Sequence, residues 1–228
     1  MCLKRIRRAP VSLGGFAMGL LATGCARYPP EAIVQQFNLL IMDFTVAGKI
    51  NPDYYYYWAI DTAGRSDSGP LPVIQGPFFG NGWGTGSITH YVEFHHNQFR
   101  VFRFQSEPEK NEVQELGPPY NSARRDDGLR LELDMEMLRG TDGTLPRSVN
   151  LNFITVNLLV LAGDIPPADR AYDGLGPTGN NYLRSVSLQE ERVISNAQGG
   201  FSYEAPNDTP VPDIDLIDWR VEVRLGKK

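Results

Sequence analysis

Leu129, Leu131, Leu133, Met135 and Met137 alternate with Arg130, Glu132, Asp134 and Glu136. Side chains along a strand point to opposite faces with period two. This stretch therefore fits a half-buried antiparallel strand with a charged outer face. Near the C-terminus the pattern returns, with Trp219, Val221, Val223 and Leu225 facing inward and Arg220, Glu222 and Arg224 outward.

Other segments agree with it. Val34–Ala47 places Leu40, Met42, Phe44 and Val46 on one face, and Leu39 and Ile41 on the other suggest burial on both sides. Tyr54–Asp61 (YYYYWAID) is rich in the aromatic residues that suit a pleated surface. Ile88–Phe94 and Phe99–Phe102 flank the polar His95-His96-Asn97-Gln98 and predict a hairpin. In Val149–Ala162 the alternation changes face between Phe153 and Ile154, which predicts a bulge or a strand passing between sheets. Tyr182–Leu188 reads as a further strand, whereas Gln189–Asn196 is ambiguous, with one helical turn or two as its reading. Long polar connections fill 62–76, 106–128 and 163–181. With about seven or eight strands and no amphipathic helix pattern, the fold class is all-β: an antiparallel β-sandwich in the jelly-roll or Ig-like range, with a barrel as second choice.

The first residues read as an address. Lys4, Arg5, Arg7 and Arg8 precede an apolar run, Val11–Leu21, and then Ala22-Thr23-Gly24-Cys25. A basic region, a short apolar region and a small-residue cleavage site define a secretory signal peptide. The apolar run is shorter than the ~20 residues that cross a bilayer. Its ending resembles the lipobox of bacterial lipoproteins: Leu, then Ala or Ser, then Gly or Ala, then Cys. Ala22 stands in the Leu place and Thr23 follows it. The resemblance implies that residues 1–24 are a lipoprotein signal peptide and that Cys25 is the lipidation site and new N-terminus. The alternative is an ordinary signal peptide with Cys25 incidental. Residues 25–33 form a short tether held extended by Pro29-Pro30, and residues 34–228 a single sandwich domain. The lipid would hold the protein at the cell envelope. Ala26 after the cysteine favours the outer membrane in a Gram-negative cell, and otherwise the outer face of the cytoplasmic membrane is expected.

Cys2 and Cys25 are the chain's two cysteines, so the exported body cannot form an intramolecular disulfide and must rely on its core. Removing the leader takes four positive charges and moves the formal charge from −5 to −9. An acidic body argues against nucleic acid, whose phosphates need clustered Lys and Arg. Membrane attachment would be through the lipid alone.

Chemistry-bearing patterns are sparse. The run Gly80–Gly86 (GNGWGTG) lacks the strand, G-x-G-x-x-G and helix order of a dinucleotide loop, and fits a turn with positive φ and close backbone approach. Trp83 in that loop, together with Tyr91, is the candidate ligand-binding surface, since a ring face suits the C–H face of a sugar. His95 and Glu93 share a strand face, but a zinc site needs three or four ligands. His90 falls on an apolar face and fits a hydrogen-bonded core imidazole. There is no G-x-S-x-G and no H-E-x-x-H. Glycosidase carboxylates depend on separation in space, which sequence spacing does not supply. No cofactor is required. Asp164, Asp169 and Asp173 in one turn-rich segment are candidate ligands for structural calcium, and Asp208, Asp213 and Asp215 form a second such segment.

In architecture and composition, 34–228 resembles secreted carbohydrate-binding and DOMON-like sandwich domains. That resemblance implies a sugar or haem ligand and assigns no residue a role. The expected function is a lipid-anchored, non-enzymatic envelope binding or structural protein whose partner is a glycan or an envelope protein. The alternatives are an envelope polysaccharide hydrolase and a subunit of an envelope or surface assembly.

Overall fold

The computed structural model describes residues 37–64, 68–73, 82–105, 112–160 and 164–226. In chain order the strands are β1 (Leu39–Val46), β2 (Tyr55–Asp61), β3 (Pro70–Pro72), β4 (Gly84–Gly86), β5 (His90–His95), β6 (Gln98–Phe104) and β7 (Val113–Gly117). They continue with β8 (Asn121–Arg124), β9 (Gly128–Asp134), β10 (Ser148–Val156), β11 (Tyr172–Gly174), β12 (Leu183–Ser187), β13 (Arg192–Ser195) and β14 (Leu216–Arg224). One sheet has the order β13-β14-β1-β9-β8. A second runs β11-β10-β2-β5-β6-β7, with β12 also paired to β10. β3 and β4 form a separate two-stranded ribbon. Every pairing is antiparallel, and the two large sheets are open rather than closed into a barrel. The all-β sandwich expectation holds.

Alternation dictates the core. Leu40, Met42, Phe44 and Val46 of β1, Leu129, Leu131 and Leu133 of β9, and Trp219, Val221 and Val223 of β14 supply one wall. Tyr56, Trp58 and Ile60 of β2, Val92 and Phe94 of β5, and Leu151 and Phe153 of β10 supply the other. Phe44 joins them, its ring centroid 5.1 Å from Trp58 and 5.7 Å from Phe153. Burying each such side chain contributes about 1.5–3 kcal/mol, so the core can carry the domain's stability.

The seven-stranded sheet is covered on its other face too. Tyr57, Ala59, Tyr91, Phe102, Phe104, Ile154 and Val156 form a second apolar cluster with Trp83 and Ile88. This corrects the reading of Val149–Ala162. β10 neither bulges against β2 nor changes sheet at Phe153, because Phe153↔Trp58 and Ile154↔Tyr57 are consecutive pairs. Phe153 packs in the central core and Ile154 in the outer cluster, so both faces are apolar.

Three other segments differ from expectation. The connection 106–128 contains β7 and β8, which lie on different sheets, with Gly117 at φ 103 ahead of Pro118-Pro119 between them. Polar composition hid them, since β8 is an exposed edge strand. The alternation at 129–137 stops at Asp134, whose carboxylate accepts the Glu136 N–H at 3.0 Å and starts a 3-10 turn, Met135–Leu138. Leu138 rather than Met137 then reaches the core. Within 189–196, β13 is a strand, followed by a 3-10 turn at Asn196–Gln198. Among the described residues, no helix is long and apolar enough to cross a membrane.

Candidate functional site

β11 pairs with the last three residues of β10, Ile154–Val156. Asn157, just beyond, fixes the approach to β11: its Nδ2 donates to the Asp169 carbonyl at 2.7 Å and its Oδ1 accepts the Ala171 N–H at 2.7 Å. Asn152 holds the exit, accepting the Leu175 N–H at 3.1 Å and donating to the Pro70 carbonyl at 2.8 Å. Asp173 is thereby set at the start of β14, where its two oxygens accept the N–H groups of Gly174 (2.8 Å) and Leu216 (2.7 Å). One carboxylate so ties an edge of the seven-stranded sheet to the five-stranded one.

The segment 196–215 brings the remaining acids. Asn196 clamps both backbone groups of Glu204, and Glu204 Oε1 accepts the Gly176 N–H. Asp215 Oδ2 accepts the Asn207 N–H at 2.8 Å. Oxygens of Asp173, Asp208 and Asp215 all lie within 4.8 Å of one another. Asp173, Glu204 and Asp215 are buried and Asp208 is exposed.

Crowding of acids in a poorly hydrated place disfavours ionisation. Burial, with the nearby Asp208 charge and against the Leu216 N–H, pushes the Asp173 carboxyl up to about 8. Burial and then the Asp173 charge push Glu204 up to about 10. Burial, then the Asp215 side chain, raises Asp208 to about 6. Both shifts favour the protonated form, and a positive charge placed among these groups would oppose them.

Above the cluster opens a pocket of about 230 Å³, lined by Arg170, Tyr172, Asp173, Thr178, Asp208 and Thr209 among others. The Arg170 guanidinium sits 5.5 Å from the centre of the Tyr172 ring. The pocket thus offers an aromatic face, hydroxyls, a guanidinium and carboxylates.

The candidates named from sequence are placed differently. Trp83 is 2% exposed and stacks on Tyr57 with ring centroids 4.0 Å apart. Tyr91 is likewise buried, between Trp83 and Phe102. The pair is therefore not an exposed sugar platform; Trp83 packs down because the outer face of β2 and β5 is apolar and needs cover. Gly82 (φ 74) and Gly86 (φ 76) meet the turn expectation, and a Cβ at either would run into the backbone of Val160 or Gly69. Of the calcium candidates, Asp173 is in the cluster, while Asp164 and Asp169 are exposed and outside it. Asp208 and Asp215 join Asp173 from the second acidic segment, and Asp213 instead accepts the Lys49 N–H. Glu204 and Tyr172 were missed: each is a single residue in a turn-rich segment, without periodicity. Glu93 is engaged by Arg100 at 2.5 Å and by the Tyr57 hydroxyl at 3.3 Å, which disposes of the His95–Glu93 metal pair. His90 is buried, with Nδ1 3.0 Å from the Thr89 hydroxyl, as a core imidazole should be. Cys25 lies outside the described residues.

No protein-family model matches the chain, and no curated protein or solved structure matches it either.

Proposed function

We propose that the chain is a lipid-anchored, non-enzymatic protein of the cell envelope, and that its folded domain binds a glycan in the pocket beside β11. The observation that carries the reading is the composition of that pocket. Tyr172 offers a ring, and Thr178, Thr209 and Asp208 offer hydrogen-bonding groups around it, while Arg170, bonded to the Val73 carbonyl, lines the wall. A few polar groups converging on an apolar surface is how ligand sites fix orientation. The volume is below the about 300–1,000 Å³ of drug-sized sites, so a single sugar unit or a chain end is the fitting occupant. The anchor is carried by the Ala22–Cys25 ending of the leader.

A glycan array probed with full-length protein and with Tyr172→Ala tests the pocket. Binding to a subset of glycans by the parent, lost in the folded fraction of the variant, is the expected result. Binding retained in Tyr172→Ala overturns the pocket assignment, and release of reducing ends overturns the non-enzymatic reading. Intact-mass analysis of native protein tests the anchor: residues 1–24 should be absent and Cys25 acylated, and a bare thiol or a retained leader would contradict it.

A further inference from the structure

We propose that Asp173, Asp208 and Asp215, with Glu204 beside them, form a binding site for one divalent cation of the calcium class. This goes beyond the glycan reading and holds whether or not the pocket takes a sugar.

Two independent features point to an ion. The first is spacing. Two oxygens on one calcium at 2.3–2.6 Å each lie at most about 5 Å apart, and the oxygens of Asp173, Asp208 and Asp215 satisfy that limit pairwise, all within 4.8 Å. The second is a pair of orphaned acceptors. Asp215 Oδ1 and Glu204 Oε2 are both enclosed and neither receives a hydrogen bond, although both residues are 1% exposed. Buried acceptors find a donor or an ion in nearly all proteins. Here the opposite oxygens are satisfied by the N–H groups of Asn207 and Gly176, which leaves Oδ1 and Oε2 for another partner.

The donor set names the class. It is all carboxylate oxygen, without the nitrogen or sulfur that zinc selects. Asp208, exposed at the pocket, leaves a path for the ion and for water to complete the six to eight oxygens calcium takes. Magnesium keeps several waters and needs a near-ideal octahedron, which a largely buried set of side chains fixed by backbone N–H groups does not favour. The site also has a structural meaning. Asp173 is bonded to β11 and β14, Glu204 to the turn after β11, and Asp215 to the turn at Asn207. An ion among them would fasten the second acidic segment to the edge strand β11 of one sheet and to the start of β14 in the other.

Calorimetric titration of the chelator-stripped full-length protein with calcium chloride, alongside thermal unfolding with calcium or EDTA, decides the matter. One equivalent should bind, and calcium should raise the melting temperature. Asp208→Asn, an exposed change with little reason to disturb folding, and Asp215→Asn should each weaken calcium by about tenfold or more. Asp164→Asn and Asp169→Asn should bind as the unaltered protein does. Absence of heat together with an unmoved melting temperature overturns the proposal. So does calcium binding that is indifferent to Asp208→Asn and Asp215→Asn, or that depends on Asp164 or Asp169. Preference for magnesium over calcium overturns the choice of ion.

Discussion

Trp83 lies flat on Tyr57, the two ring planes 11° from parallel and their centroids 4.0 Å apart. The contact explains why a glycine-rich loop carries a tryptophan at all. Tyr57 points away from the central core, and the loop's indole shields it from water. Trp83→Ala should therefore act as a core truncation, costing about 3 kcal/mol or more, while glycan binding of the folded fraction stays unchanged. Urea unfolding gives the first number and the array the second. A variant as stable as the parent that has lost a ligand would show the loop to be a binding surface after all.

His90 makes stability depend on pH. Its imidazole is pushed down from 6.5 to about 4, first by burial and then by the Arg103 guanidinium, with the Arg139 carbonyl partly opposing. Above 6.5 the ring is neutral in both folded and unfolded chains and contributes no pH dependence. As the pH falls from 6.5 towards 4, the unfolded chain takes the proton first, so this group removes on the order of 3 kcal/mol of stability across that window. Below it both states are charged and the contribution levels. Urea unfolding along this range should show the parent losing stability relative to His90→Gln as the pH falls, whatever the buried carboxyls contribute to both. Equal losses in the two would mean the imidazole titrates normally in the fold.

Trp219 fills the central core and its Nε1–H donates to the Ser202 carbonyl at 3.0 Å. Trp219→Phe keeps most of the apolar surface but strands that carbonyl, a loss of about 1–3 kcal/mol. Chemical denaturation should register it as a lower midpoint with the slope unchanged.

Gly82 has φ 74 and abuts the Val160 backbone. Gly82→Ala should destabilise by more than the roughly 0.4–1 kcal/mol that Gly→Ala gains at compatible positions. A neutral or stabilising result in thermal unfolding would contradict the close approach.

What the sequence disclosed and what it hid divide along physical lines. β9 and β14 were legible because each has one buried and one solvated face, so their alternation is written in charge. β10 was located but misread at Phe153–Ile154, because a strand buried on both faces loses that contrast. β8 was invisible, since an exposed edge strand shares the composition of a loop. For the site, both acidic segments stood out, yet Asp173 and Asp208 were assigned to different places. Thirty-odd residues and two strands, β12 and β13, separate the two, and only the pairing of β11 with β10 and the seating of β14 beside β1 bring them together. Glu204 carried no signal of its own, for its role depends entirely on the Asn196 clamp.

Diffraction from crystals of the full-length protein grown in calcium, with anomalous data to identify the ion, tests most directly whether these two distant segments close on a single charge. The expected map has one calcium bound by Asp173, Asp208 and Asp215, with Glu204 Oε2 turned towards it. Carboxyl groups hydrogen-bonded to one another with no ion among them, in crystals saturated with calcium, would contradict it.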